Sequence, residues 1–285
     1  MESGDEYRIS ITVRDPEAQH RFAARHGAFL TSLDSLKNAF GALSSSLAGK
    51  EGDLIGIVLF YLGYLAWEDL NEILVLCANG LTTGAQKILR GMFERAVTTG
   101  YLQKHPDEAE LFWNFFWVDQ HKLAAGLERE FPGFFPQAKL DEISQKYGHV
   151  KGLYQVPVCE KCRLPDCKEC SETRTNYTWS KKDVVTMAGD VGIPLHMIKG
   201  AYYVPMRETH PKATAIIERI KRFEGRAPKQ NEIEVPFILA YGLLLAILEV
   251  LYLHFQIQAM RGPLDTATQA FNLALKQTKG ITSSD

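Results

Sequence analysis

Neither sign of charge dominates the 285-residue sequence: 32 Lys and Arg face 34 Asp and Glu, for a formal net charge of −2. A broad nucleic-acid or acidic-membrane interface carries a cationic excess, so neither is indicated as a partner by net charge. Glycine and proline number 22 and 12, too few for a linker-dominated array. Several signatures are missing as well. There is no His-Glu-x-x-His, no phosphate-binding loop, no Gly-x-Ser-x-Gly and no dinucleotide fingerprint, which removes the common zinc-protease, nucleotide and serine-hydrolase sites. A di-iron bundle needs two Glu-x-x-His helices, and only Glu17-x-x-His20 fits. Residues Met1 to Arg8 are polar and acidic, without the basic and apolar regions of a secretory leader, so the expected compartment is cytoplasmic, with reduced thiols.

What is present is apolar and helical in pattern. Hydrophobic residues make up 46% and aromatics 11% of the chain, enough for a full core. Pro16 opens a helical pattern to about Leu47, broken by Ser44–Gly52; a second runs from Leu54 to Cys77, ending at Asn79-Gly80. Thr82 or Thr83 caps a third reaching Lys104, and His105-Pro106-Asp107-Glu108 starts a fourth that carries Trp113, Phe115, Phe116 and Trp117, aromatics expected in the core. After Phe131-Pro-Gly-Phe-Phe-Pro the spacing predicts a short helix near Lys139–Tyr147, then a pattern failure from Gly148 to about Thr178. Ser180 is expected to cap a helix stopped by Gly192; Pro194 begins another, and Pro205 and Pro211 bracket a bend over Met206–His210. Almost nothing reads as strand, apart from an extended start around Ile9–Val13. Phe237–Phe255 is nearly apolar and long enough to span a bilayer, but Glu249 and His254 interrupt it and the mean hydropathy of the chain is −0.15. We read it as the buried central helix of a soluble bundle, with no membrane partner; a shorter amphipathic helix from Leu264 to Lys276 closes the chain. The expected architecture is all-α, one helical domain over 1–285 with an irregular cysteine-rich insertion over 148–178.

Four of the five cysteines fall in that insertion as Cys159-Glu-Lys-Cys162 and Cys167-Lys-Glu-Cys170. A CxxC turn presents two thiolates to one edge of a metal, and two such pairs complete a tetrahedral zinc site like that of a zinc knuckle. Pro165 can set the turn of the four-residue spacer, and Lys161, Arg163 and Lys168 offset the charge of a metal held by four thiolates. Local disulfides or redox pairs are the alternatives. Four cysteine ligands leave no open coordination position, so the zinc would be structural, stapling a segment with little core of its own. Cys77, alone on an apolar helix, is expected to be a buried small hydrophobe.

Arg90 and Glu94 stand one helical turn apart beside the apolar stripe of the third helix, and Glu249, set in the most apolar segment, needs a cation, with Arg90 or His210 the expected partner. Leu89-Arg90-Gly-Met-Phe-Glu94, Tyr101-Leu102, Trp179, Tyr202-Tyr203 and Arg207-Glu-Thr-His210 together resemble a bacterial helical family catalogued as domain of unknown function 5677, over roughly Leu54 to Leu251. The resemblance implies an all-α fold and a polar site without a defined reaction, for which Arg90, Glu94, Tyr203 and His210 are the candidates. We therefore expect a helical binding or regulatory protein with a structural zinc at Cys159, Cys162, Cys167 and Cys170, acting on another protein or a small ligand, with a homo-oligomer allowed. The alternative is a metal-independent ribonuclease or other hydrolase, in which Arg90 holds an anion and His210 transfers a proton; the Arg14/His20 and Arg21/His26 intervals suit the same chemistry.

Overall fold

A computed structural model describes residues 15–48, 52–157, 173–209, 216–217, 220 and 230–281. The described chain is all-α apart from one short hairpin, and it divides into two compact units. The first takes in the described parts of 1–50, 60–99 and 193–285, the second those of 51–59 and 100–192. Four expected helices are present with nearly the expected limits. They are α1 (Pro16–Leu47), α2 (Leu54–Ala78), α3 (Thr82–Lys104) and, after a 3-10 turn at Pro106–Glu108, α4 (Ala109–Glu130). The punctuation is chemical. Asp15 accepts from the Ala18 amide at the start of α1, Asp53 accepts from Gly56 at the start of α2, and Gly80 takes the left-handed conformation (φ 71°) that lets the chain leave α2. At α3 the first helical carbonyl belongs to Leu81, which accepts from Ala85, so the cap lies one residue before the expected threonines.

In the first unit α1 packs along α10 (Arg261–Ile281) and against α9 (Gln230–Phe255). Phe22, Phe29, Phe237, Tyr241 and Phe271 form a linked ring cluster, and α1 leaves helical geometry at His26 (φ −106°, ψ 18°), whose ring joins it. The Ser32 hydroxyl reaches the Phe29 carbonyl and lies 2.8 Å from the Tyr241 hydroxyl, which also reaches the Ala267 carbonyl at 3.4 Å. Cys77 is buried, as expected, and loss of water pushes its thiol up to about 12. Among the described residues two helices are long and apolar enough to cross a membrane, Leu54–Ala78 and Val235–Phe255; 56% of the best window of the latter is buried within the protein, which a core helix also shows. Glu249 is not sealed there: it is half-exposed and pairs with Arg261 at 3.4 Å, neither of the expected cations.

Between the expected bend and the structure lies a second difference. α7 (Leu195–Ile198), a π turn at Lys199–Tyr203 and α8 (Val204–Thr209) follow one another without a break, so the described part of the bend, through Thr209, is helical. Pro205 cannot donate to the carbonyl four residues back. The wider turn, in which the Val204 amide reaches Lys199, takes up that misfit.

In the second unit α4 packs on α5 (Gln137–Val150), and Phe115, Val118 and Tyr154 form a small core with Leu111, Tyr147, Val150 and Trp179 around it. Trp113 and Phe116 are 51% and 53% exposed, which corrects their expected place in the core; the periodicity of α4 points Phe115 and Val118 inward instead. α5 runs three residues beyond the expected end, into a 3-10 turn at Lys151–Tyr154. Two unexpected strands follow, β1 (Gln155–Pro157) and β2 (Thr173–Thr175), paired antiparallel with Pro157 opposite Thr173. They frame the cysteine segment, whose Cys159, Cys162, Cys167 and Cys170 lie outside the described residues, as does His210. α6 (Val184–Asp190) is capped by Asp183, which accepts from the Thr186 amide, not by Ser180; Ser180 Oγ accepts from the Lys182 amide in the loop before it.

Candidate functional site

Of the candidates read from sequence, Arg90 and Glu94 meet as expected along α3, with Arg90 Nε donating to Glu94 Oε1 at 3.1 Å. The aromatic partner is Tyr202, whose ring centroid lies 5.1 Å below the Arg90 guanidinium; Tyr203 is 46% exposed and touches the Tyr202 ring. Phe93 packs on the same ring, so Arg90 meets both a carboxylate and a buttressed aromatic ring. Of the histidine and arginine intervals, Arg21 pairs with Glu17 at the surface and His26 is enclosed in the ring cluster at 6% exposure, where no proton can be exchanged with a substrate. Arg14 lies outside the described residues. Among the described residues no group of three or more His, Cys, Asp or Glu side chains is placed to hold a metal ion.

A second polar constellation, in the second unit, has no signature spacing in the sequence. Its centre is Asp190, the last residue of α6. Lys104 Nζ donates to Asp190 Oδ1 at 2.8 Å and to its backbone carbonyl at 2.7 Å, Lys182 Nζ donates to Oδ2 at 3.1 Å, and His105 Nε2 stands 3.0 Å from Oδ2. An ionised carboxylate only accepts, so the contact selects the His105 tautomer that carries its proton on Nε2. Lys104, then Lys182 and His105, hold the Asp190 carboxyl far below the ordinary carboxylate range. Lys104 also satisfies the carbonyl end of α6, where a cation is favoured. One carboxylate thus ties the end of α3, the turn before α4 and the loop before α6 to one point.

Tyr101 links that point to a cleft. Its hydroxyl donates to Glu108 Oε1 at 2.7 Å, its ring lies 4.9 Å beneath the Lys182 ammonium, and Trp179 meets it edge-on at 5.9 Å. Burial, then the bond to Glu108, pushes the phenol above its usual range, and the Tyr101 hydroxyl and Asp190 hold Lys182 above the ordinary lysine range. The cleft has a volume of about 370 Å³, within the small-ligand range. Tyr101, Glu108 and Leu111 form one wall. Leu153, Tyr154 and Val156, on the way into the cysteine segment, form the second; Asn176, Trp179, Lys181 and Lys182, on the way out, form the third. Tyr154 donates to the Leu111 carbonyl at 2.6 Å and Asn176 donates its amide to the Tyr154 carbonyl at 2.7 Å, so the walls are fastened to one another through backbone groups.

The resemblance includes Tyr101 and Trp179 without joining them. Lys104, Lys182 and Asp190 carry no sequence signature of a site, and His105 and Glu108 enter the sequence pattern only at the start of the fourth helix. The one local hint is a basic residue, Lys104, in the last turn of a helix and followed by His105.

A model of a family of unknown function, DUF5677, matches residues 57–227, a span that contains every residue lining the cleft. No curated protein matches the chain, and no solved structure does.

Proposed function

The match covers more than half of the chain, which belongs to the DUF5677 family, and from that premise we propose that the protein is a helical binding or regulatory module whose ligand site is the cleft between Tyr101, Tyr154 and Trp179. The observation that carries this reading is that two of the three cleft walls are the two stems of one loop, fastened by the β1–β2 ladder. Whatever fixes that loop fixes the cleft. The pocket has the dimensions and the mainly apolar lining, with a few convergent polar groups, that small-ligand sites share.

Structural zinc at Cys159, Cys162, Cys167 and Cys170 completes the proposal. The ladder sets Pro157 opposite Thr173, at the roughly 5 Å Cα separation of antiparallel partners, so the fifteen residues between them begin and end at the same place. Two CxxC pairs within such a loop have the ligand number and spacing for a closed tetrahedral site. Metal binding there offsets the chain entropy of a segment too short to bury a core. The hydrolase alternative requires an anion-holding Arg90, and its guanidinium is laid against Glu94 and Tyr202; no observation favours it over binding.

The test is a thermal-shift screen of small organic compounds on the full chain, run beside a Val156→Trp variant that fills the cleft. Compounds that stabilise the parent and not the filled variant support the reading. Stabilisation indifferent to the filling, or none from any compound, counts against it. Metal analysis of reduced protein purified without chelator is expected to give about one zinc per chain; a folded protein without metal would overturn the zinc assignment.

A further inference from the structure

The charged groups lining the cleft are unequal in what they have left to offer. Glu108 accepts the Tyr101 hydroxyl on one oxygen. Lys182 shares the single carboxylate of Asp190 with Lys104 and His105, so that carboxylate balances only part of the positive charge around it. Lys181, exposed at the same rim, meets no carboxylate among the described residues. The uncharged lining is mainly apolar, with Leu111, Leu153, Val156 and the indole of Trp179 beside the polar side chains of Asn176 and Ser180 and the rings of Tyr101 and Tyr154. A slot of about 370 Å³ whose apolar lining includes the planar indole of Trp179, and whose two lysines outnumber its one carboxylate, Glu108, matches a molecule that is planar and apolar at one end and acidic at the other.

On the reading that this cleft is the ligand site, we propose that it takes a small organic acid with a planar, apolar body, whose anionic head is held by Lys181 and Lys182. Lys182 is held in place by its bond to Asp190 and by the Tyr101 ring beneath its ammonium. A charged head paired with two ammonium groups in a partly desolvated rim forms charge-assisted hydrogen bonds that a neutral head of the same shape cannot form.

Two probes of equal shape separate the parts of this statement: 2-naphthoate and its neutral counterpart 2-naphthalenemethanol, titrated against the full chain by equilibrium dialysis. The expected result is that naphthoate binds about tenfold more tightly than the alcohol. Lys181→Gln with Lys182→Gln should remove that difference while leaving alcohol binding unchanged. The Val156→Trp filling should abolish both. The naphthoate preference should shrink as salt is raised. Equal binding of the two probes, or a preference indifferent to both lysine substitutions, overturns the acid assignment while leaving the cleft as a ligand site. Binding of both probes that survives the Val156→Trp filling, or no binding of either, overturns the site itself.

Discussion

Tyr101 offers the sharpest quantitative check on the second unit, because one atom can be removed from it without disturbing its ring. The residue has no solvent exposure, its hydroxyl donates to Glu108 at 2.7 Å, and its ring packs on His105 and Trp179. Tyr101→Phe keeps the ring contacts and deletes the hydrogen bond to a charged acceptor, worth about 1.5–3 kcal/mol, together with the hydroxyl's contact with Lys182. Glu108 is only half-buried and can recover water, so the expected cost is at the lower end, about 1.5 kcal/mol. Tyr101→Ala also removes the buried ring and should cost about 3–5 kcal/mol. Urea denaturation of the two variants, of Glu108→Gln and of the Tyr101→Phe/Glu108→Gln pair closes a double-mutant cycle. The hydroxyl–carboxylate contact should appear as a coupling of about 1 kcal/mol. If the two single substitutions add to within about 0.3 kcal/mol, the bond contributes nothing and the link from the Asp190 cluster to the cleft wall fails with it.

Further expectations concern pH. Cys77 titrates near 9 when unfolded and about 12 when folded. A raised folded value contributes stability that is full below about pH 9 and is lost as pH climbs toward 12, at about 1.4 kcal/mol per unit. Denaturation curves between about pH 9 and 11 should therefore flatten by roughly 2–3 kcal/mol in Cys77→Ala relative to the parent, and parallel curves would contradict the burial of the thiol. Asp190 works at the other end of the scale. Its depressed folded value gives stability that is present above the ordinary aspartate range and disappears as pH falls through the folded pKa. Asp190→Asn should be less stable near neutrality and show a shallower acid limb in urea midpoints; an unchanged acid limb would mean that Lys104, Lys182 and His105 do not hold the carboxylate in solution.

Helices announced by punctuation were legible in the sequence. Pro16, Asn79-Gly80 and Pro106 mark α1, α2 and the turn into α4 through backbone restrictions that act locally, and the structure honours them within a residue or two. α9 was placed from its apolar run, and the polar turn from Gln230 that precedes Pro236 carried no apolar signal. The strands were not legible because three residues, Gln155-Val-Pro and Thr173-Arg-Thr, are too few to show alternation. Their pairing is decided across fifteen intervening residues by closure of the loop. For the same reason the site divided. Arg90 and Glu94 are neighbours on one helix face, so spacing alone predicts their contact. Tyr101, His105, Lys182 and Asp190 come from α3, the turn after it, the loop before α6 and the end of α6, and only the fold brings them together.

The central claim is that the cleft walled by the two stems of the cysteine segment is where this protein binds its ligand. The most direct measurement is methyl NMR of selectively labelled full-length protein during titration with 2-naphthoate. The methyl groups of Leu111, Leu153 and Val156 should shift together and saturate, with Leu36, Leu43 and Leu244 in the core of the first unit unmoved. Saturable shifts that leave those three residues still and fall elsewhere, or no saturable shift at all, would contradict it.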